Sequence, residues 1–158
     1  MITLLEILPS NLPSYSVLVT TGTITSSKIA AQRLPESAIH QYVPLDLPFS
    51  IKRFLNHWKP NLAVRLESEL WPVQIEYLRS KNIPSLLINA RLSKKSHLRW
   101  ARISGLAERL LGAFQVILVQ SPQDEIRISS FGEFNIKFVQ NLKAASAPLP
   151  VDEANLSR

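Results

Sequence analysis

The sequence predicts an α/β fold, with a Rossmann-like parallel sheet covered by helices on both faces. Short runs rich in β-branched and aliphatic residues recur along the chain, and most are continuously apolar, as strands buried on both faces are. Segments with apolar residues at helical spacing lie between these runs. Alternation of strand and helix favours a parallel, doubly wound sheet.

The predicted strands form a single parallel sheet of six, with an exposed edge or a gap. They are the runs YSVLVTT (15–21), AIHQYVPL (38–45), NLAVRL (61–66), SLLINA (85–90), FQVILVQ (114–120) and NIKFVQ (135–140).

Helices are predicted between these strands. PFSIKRFLNHWKP (48–60) and WPVQIEYLRSKNIP (71–84) carry apolar residues at helical spacing and begin near a proline. SPQDEIRISSFGE (121–133) starts with Ser121 as the N-cap and has acids in its first turn. The basic run 93–114 is predicted to be amphipathic and broken near Gly105.

Composition excludes several kinds of site. The 158 residues suit one domain and include no cysteine, which removes disulfides and thiolate chemistry. His40, His57 and His97 show no ligand spacing, so no metal site is predicted. With four glycines, the chain has neither a G-x-G-x-x-G nor a P-loop motif, and no cofactor is predicted.

The charge and hydropathy of the chain bear on location and partners. No apolar stretch reaches the roughly 20 residues of a membrane span, and the first residues lack the pattern of a signal peptide. We therefore expect a cytosolic protein. The net charge of +6 favours anionic partners, although a basic surface without a specific partner explains it equally well.

Polar residues follow the first four predicted strands, where an open α/β sheet places its ligand. Because neighbouring parallel strands end at the same edge, we expect the residues after the third and fourth strands to meet in one crevice, with Thr21 and Thr23 on its rim. Arg91 should lie in salt-bridge or one-water reach of Glu67 or Glu69. Arg91 suits a phosphate or a carboxylate. Each residue alone also has a local explanation, such as a helix cap. The set is Thr20, Thr21, Thr23, Asp46, Glu67, Glu69, Asn89, Arg91 and Ser93.

Several motifs, in order, resemble the N-terminal half of the 3-deoxy-D-manno-octulosonic acid (Kdo) transferases. The most specific are ESELWP (67–72) and NARLS (89–93). Around them lie VLVTTGTITSS, HQYVPLDLPFSIKRFLNHWKPNLAV, IPSLLINARLSKKS, LLGAF and NLK.

The resemblance implies the acceptor-binding half of a GT-B glycosyltransferase, over residues 1–147, with residues 148–158 as a remnant of the interdomain linker. Family members transfer Kdo from CMP-Kdo to a lipid A precursor in lipopolysaccharide biosynthesis, at the cytoplasmic side of the inner membrane. The implied acceptor-binding residues are Thr21, Thr23, Ser27, Glu67, Glu69, Asn89, Arg91 and Ser93.

The sequence departs from the family pattern at several points. The Gly-Glu motif that carries the family's proposed base, together with its strand, is missing from the matched region, and Gly132-Glu133 lies elsewhere. Ser26 and Gln140 stand where glycines are usual. We expect a fragment that lacks the donor domain and is inactive alone, with Glu67 and Glu69 as the candidates for a base.

The basic helical run is the predicted membrane-facing segment. Its cations alternate with apolar residues, a pattern typical of a helix on an anionic leaflet, although a surface helix packed on the core has the same pattern. The predicted membrane-facing residues are Lys94, Lys95, Arg99, Trp100 and Arg102.

Two other functions remain open at this point. One is a non-catalytic module that binds lipid A or a partner protein through the same strand ends. The other is a nucleic-acid-binding domain, which we do not expect because the chain has no recognisable reader motif.

Overall fold

A computed structural model describes residues 15–67 and 70–139, which form an α/β fold whose strand pairs are all parallel. The strands are β1 (Val17–Thr21), β2 (Ala38–Tyr42), β3 (Ala63–Leu66), β4 (Ser85–Ala90), β5 (Val116–Val119) and β6 (Ile136–Phe138). The helices are α1 (Ile24–Arg33), α2 (Pro48–Trp58), α3 (Pro72–Ser80), α4 (Lys94–Ala101), α5 (Ser104–Leu111) and α6 (Pro122–Ser129).

The strands form two sheets, which we call the small sheet (β1–β2) and the large sheet (β3–β4–β5–β6). The prediction of one six-stranded sheet is therefore wrong for the described residues. The apolar pattern identifies strands, but pairing depends on contacts between distant segments, which that pattern does not encode.

The main core lies against the large sheet. Leu87, Ile117 and Val119 from the strands pack with residues of α5, and Leu110 and Ile117 are completely buried. Ile128 of α6 closes the same core. A second cluster joins α2 to α3 through Ile51, Leu55 and Leu78. Strand β4 buries the consecutive residues Leu87 and Ile88 and is therefore covered on both faces, as predicted. Strand β5 buries alternate residues, and Val64 of β3 is 44% exposed, so the prediction does not hold for these two strands.

Asp46, in the loop after β2, caps α3 from a distance. Its two carboxylate oxygens accept hydrogen bonds from the backbone N–H groups of Val73 (3.0 Å) and Gln74 (2.8 Å). Trp71 at the N-cap position makes no side-chain capping bond, so Asp46 satisfies donors that the helix leaves unpaired. The small sheet is tied to the start of α3 in this way.

The basic run forms two helices rather than one. Helix α4 ends at Ala101 and α5 begins at Ser104, so the break precedes the expected position at Gly105 by a few residues. Within residues 15–67 and 70–139, no helix has the length and apolar character that crossing a membrane requires. The predicted boundary between residues 147 and 148 lies outside the described residues.

Candidate functional site at the ends of strands β3 and β4

Glu67 ends β3 in a conformation that side-chain-bearing residues rarely adopt. Its φ angle is 61°, in the left-handed region, while its N–H donates to the carbonyl of Ile88 at 2.9 Å. For a residue other than glycine, this left-handed backbone conformation costs about 1–2 kcal/mol of conformational free energy. Such strain concentrates at ligand sites, so it marks the end of β3 as a candidate.

Asn89 has a left-handed backbone at the equivalent place near the end of β4, with a φ angle of 56°. The β4–β5 register shifts between Leu87 and Ala90, which is the sign of a bulge. The Gln120 side-chain amide donates to the Asn89 carbonyl at 2.8 Å and holds the irregular turn. Two adjacent parallel strands therefore end in the same uncommon conformation.

Glu67 and Arg91 line one cleft at this edge of the large sheet, and both side chains are exposed. The enclosed volume, about 20 Å³, holds no more than about one water molecule, so a ligand would lie over the cleft rather than inside it. The remaining lining is apolar and comprises Leu70, Leu87, Ala90, Leu92, Trp100, Ala107, Leu111, Ile128 and Phe131.

The structure thus brings together two of the predicted site residues, Glu67 and Arg91. Glu69 lies outside the described residues. The predicted ion pair between Arg91 and one of the two glutamates stays a prediction. Ser93 is exposed and caps α4, because its hydroxyl oxygen accepts from the N–H of Ser96 at 3.1 Å.

The hydroxyl residues after β1 have local partners. The Thr21 side chain is 8% exposed and shares a 2.9 Å hydrogen bond with Nε2 of His40 on β2. Thr23 caps α1 by accepting from the N–H of Ser26, and the Ser27 N–H donates to the Thr23 carbonyl. These contacts are the local roles that such hydroxyl residues commonly have, and a role in binding an acceptor stays a prediction.

The basic face of α4 forms an open groove of about 510 Å³, lined by Lys94, Lys95, Leu98, Arg99 and Arg102. Trp100 departs from the prediction for this helix: it is half-buried, packs against the main core and lines the apolar cleft. Residues 94, 98 and 102 share one side at helical spacing, and Trp100 lies two residues after Leu98, on the opposite side. Of the predicted membrane-facing residues, Trp100 therefore faces inward.

A surface ion pair joins α3 to α5 beside this region. Arg109 donates to both carboxylate oxygens of Glu76, at 2.7 Å each, and Arg79 lies 3.5 Å from the same carboxylate. The hydrogen bonds from Arg109 lower the pKa of Glu76, and that carboxylate raises the pKa of Arg109. Among residues 15–67 and 70–139, no group of three acidic or histidine side chains could hold a metal ion.

The residues that hold the β4–α4 loop were not predicted from the sequence. Asp124 and Arg127 of α6 both bind the backbone of Leu92. The available signal is the pattern Ser-Pro-Gln-Asp, in which an acid follows the N-cap, but that pattern predicts only a contact within the helix. Asp46 was predicted among the strand-end residues, and the structure shows it as the cap of α3.

Comparison with known proteins shows which family this chain resembles. A family model described as 3-deoxy-D-manno-octulosonic-acid transferase (kdotransferase) matches residues 1–146. The 3-deoxy-D-manno-octulosonic acid transferase of Rickettsia felis is 35% identical over 157 residues, which are 99% of this chain and 34% of the relative.

Two further relatives carry the same name. That of Rickettsia bellii is 37% identical over 97% of this chain and 36% of its own length. That of Haemophilus influenzae is 37% identical over 79% of this chain and 29% of its own length. The chain therefore spans about a third of the length of the curated relatives it matches.

The parallel α/β fold, together with these relatives, places the chain among the glycosyltransferases. More narrowly, the chain belongs to the 3-deoxy-D-manno-octulosonic-acid transferase (kdotransferase) family.

Proposed function

We propose that this chain is the acceptor-binding half of a GT-B glycosyltransferase that transfers Kdo from CMP-Kdo to a lipid A precursor. The observation that carries the proposal is the meeting of Glu67 and Arg91 at one cleft, where β3 and β4 both end in left-handed backbone. An exposed guanidinium beside a shallow cleft suits a phosphate or carboxylate on a large acceptor.

The donor is bound elsewhere in this proposal. CMP-Kdo is held by a second domain, and the acceptor hydroxyl loses its proton to a carboxylate, the group suited to a general base in such a transfer. Glu67 and Glu69 are the candidates for that base within this chain. The chain alone is expected to bind acceptor and to transfer no Kdo.

The α4 groove supplies the membrane contact in this proposal, at the cytoplasmic face of the bacterial inner membrane. Lys94, Lys95, Arg99 and Arg102 surround Leu98, which is 56% exposed. A cluster of cations around an apolar side chain is attracted to an anionic bilayer surface. Each such cation contributes about 1 kcal/mol, or roughly fivefold in affinity.

Vesicle binding tests both parts of the proposal. The full chain is mixed with phosphatidylcholine vesicles, either plain, or containing phosphatidylglycerol, or containing a bis-phosphorylated lipid A precursor with the same total lipid charge. We expect the tightest binding to the lipid A precursor. Arg91→Gln should reduce that affinity to the phosphatidylglycerol level, and the matched control Arg33→Gln, at the exposed end of α1, should not.

The outcomes separate the candidate functions. Glutamine at Lys94, Lys95, Arg99 and Arg102 should weaken binding to both anionic vesicles. Equal binding to the two anionic vesicles by the unaltered chain would overturn the acceptor proposal and leave general membrane attraction. Kdo transfer by residues 1–158 on their own would contradict the proposal that CMP-Kdo is held outside these residues.

A further inference from the structure

The loop between β4 and α4 is held at a single residue, Leu92, by two side chains of α6. The Leu92 N–H donates to Oδ1 of Asp124 at 2.8 Å, and the Leu92 carbonyl accepts from Nη1 of Arg127 at 3.0 Å. A loop residue has no neighbouring strand to pair its backbone N–H and C=O groups. The side chains of Asp124 and Arg127 provide those hydrogen-bond partners for Leu92.

In the pair that makes these bonds, the Asp124 carboxylate is buried and the Arg127 side chain is 32% exposed. Asp124 is 5% exposed, and the Arg127 guanidinium lies 3.7 Å from its carboxylate. The second oxygen of Asp124 accepts from the Ser121 hydroxyl at 2.6 Å. A buried carboxylate with its oxygens engaged keeps one orientation, and hydrogen bonds to charged groups are the stronger ones.

Residues on both sides of Leu92 belong to the proposed acceptor surface. Arg91 precedes it and lines the cleft with Glu67, while Ser93 follows it and caps the basic helix α4. The Leu92 side chain is buried, so the loop is fixed both by this apolar side chain and by the hydrogen bonds to its backbone. A shift of the Leu92 backbone would move the Arg91 guanidinium and the start of α4 together.

We propose that Asp124 and Arg127 are positioning residues, which set the place of Arg91 at the acceptor cleft by holding the backbone N–H and C=O groups of Leu92. The role of Arg91 itself rests on the function proposed above. Asp124 and Arg127 act through the backbone and touch no acceptor in this proposal. Their effect on binding must therefore pass through Arg91.

Amide hydrogen exchange of the full chain, followed by NMR, tests without any ligand whether Asp124 holds the backbone N–H of Leu92. In Asp124→Ala the Leu92 amide should exchange at least about tenfold faster, because its acceptor is lost. The amide of Ile75, in α3, should keep its rate. The control Glu125→Ala removes a carboxylate from the same helical turn and should leave the Leu92 rate unchanged. Unchanged exchange in Asp124→Ala would overturn the proposal.

A double-mutant cycle, measured as binding to lipid A precursor vesicles, tests whether Asp124 affects binding through Arg91. Asp124→Asn keeps one acceptor oxygen and loses the ion pair, and it should weaken binding about tenfold in the parent chain. In an Arg91→Gln background the same change should alter binding by no more than about twofold. Arg127→Lys, which keeps a charged donor, should retain more binding than Arg127→Gln.

The two proposals fail in different ways. Additive losses from Asp124→Asn and Arg91→Gln would overturn the positioning role while leaving the acceptor site intact. No loss from Arg91→Gln would overturn the acceptor role of that arginine, and the exchange of the Leu92 amide would still report whether Asp124 holds the peptide.

Discussion

The large and small sheets differ sharply in how much apolar surface their elements bury. The large sheet and its helices contribute twelve buried residues to one continuous cluster. Around the small sheet, Val19, Thr21 and Ala30 are the buried side chains of β1, β2 and α1 among the described residues. Ile39 and Tyr42 of β2 are about half exposed.

This difference shows which part of the molecule determines the candidate site. Glu67 follows β3 and Arg91 follows β4, and the cleft beneath them is lined by residues of the main core, such as Leu87 and Leu111. The small sheet is coupled to that region through the Asp46 cap and the packing of α2 on α3. A rigid scaffold under a polar edge is the arrangement that binding sites require.

The largest expected effect is a core truncation in the large sheet. Ile117 is 0% exposed, and Ile117→Ala should lower the free energy of unfolding by about 2–5 kcal/mol. The matched substitution Ile39→Ala, at a residue that is 46% exposed in the small sheet, should cost less than about 1 kcal/mol. Urea denaturation followed by circular dichroism measures both, and equal losses would contradict the comparison.

Removal of the Asp46 cap should have the next largest effect. Asp46→Ala leaves the N–H groups of Val73 and Gln74 without their acceptor, and we expect a loss of about 1–2 kcal/mol in urea denaturation. Glu36→Ala, in the exposed turn before β2, is the control and should be neutral. A neutral Asp46→Ala would show that the two regions are coupled by packing alone.

The left-handed residues allow a test that separates stability from binding. Glycine relieves the backbone cost, so Glu67→Gly and Lys59→Gly should each stabilise the chain by roughly 1 kcal/mol. Lys59 ends α2, away from the cleft, and its substitution should leave binding to lipid A precursor vesicles unchanged. Glu67→Gly should weaken that binding, and full binding by this variant would remove Glu67 from the site.

The smallest expected effect concerns the Glu76–Arg109 pair on the surface. Because the pKa of Glu76 is lowered in the folded state, its contribution to stability is present above its usual value of 4.5 and is lost as the pH falls through the folded value. Glu76→Gln should therefore destabilise slightly at neutral pH, less than Asp46→Ala does, and not at all in strong acid. High salt should reduce the difference, since exposed ion pairs are screened. A difference that grew on acidification would contradict this account.

The local sequence pattern predicted the strands and helices well. The features that it did not predict depend on contacts between distant parts of the chain. The run SLLINA (85–90) is strand β4 in full, because a continuous apolar run flanked by turn residues carries its own signal. The division into two sheets depends on pairing, which has no local signal. Trp100 faces inward because of its helical position relative to Leu98, a relation that composition alone does not express.

The candidate site was predictable to a similar extent. The rule that ligands lie at the carboxyl ends of parallel strands places Glu67 and Arg91 at one edge, and the structure puts both on the same cleft. The roles of Asp46 and Asp124 as partners of distant backbone were not predictable. Their partners lie about thirty residues away in sequence, so only the folded chain brings them together.

The most direct test of the acceptor account is NMR mapping of the full chain titrated with a bis-phosphorylated lipid A precursor in detergent micelles. The account predicts that the largest amide shifts occur at Arg91, Leu92 and Ser93, extending to Lys94 and Lys95, with small shifts in β1 and β2. The dephosphorylated lipid should shift Arg91 much less. Shifts centred on β1 and β2, or an Arg91 response that is the same without the phosphates, would contradict the account.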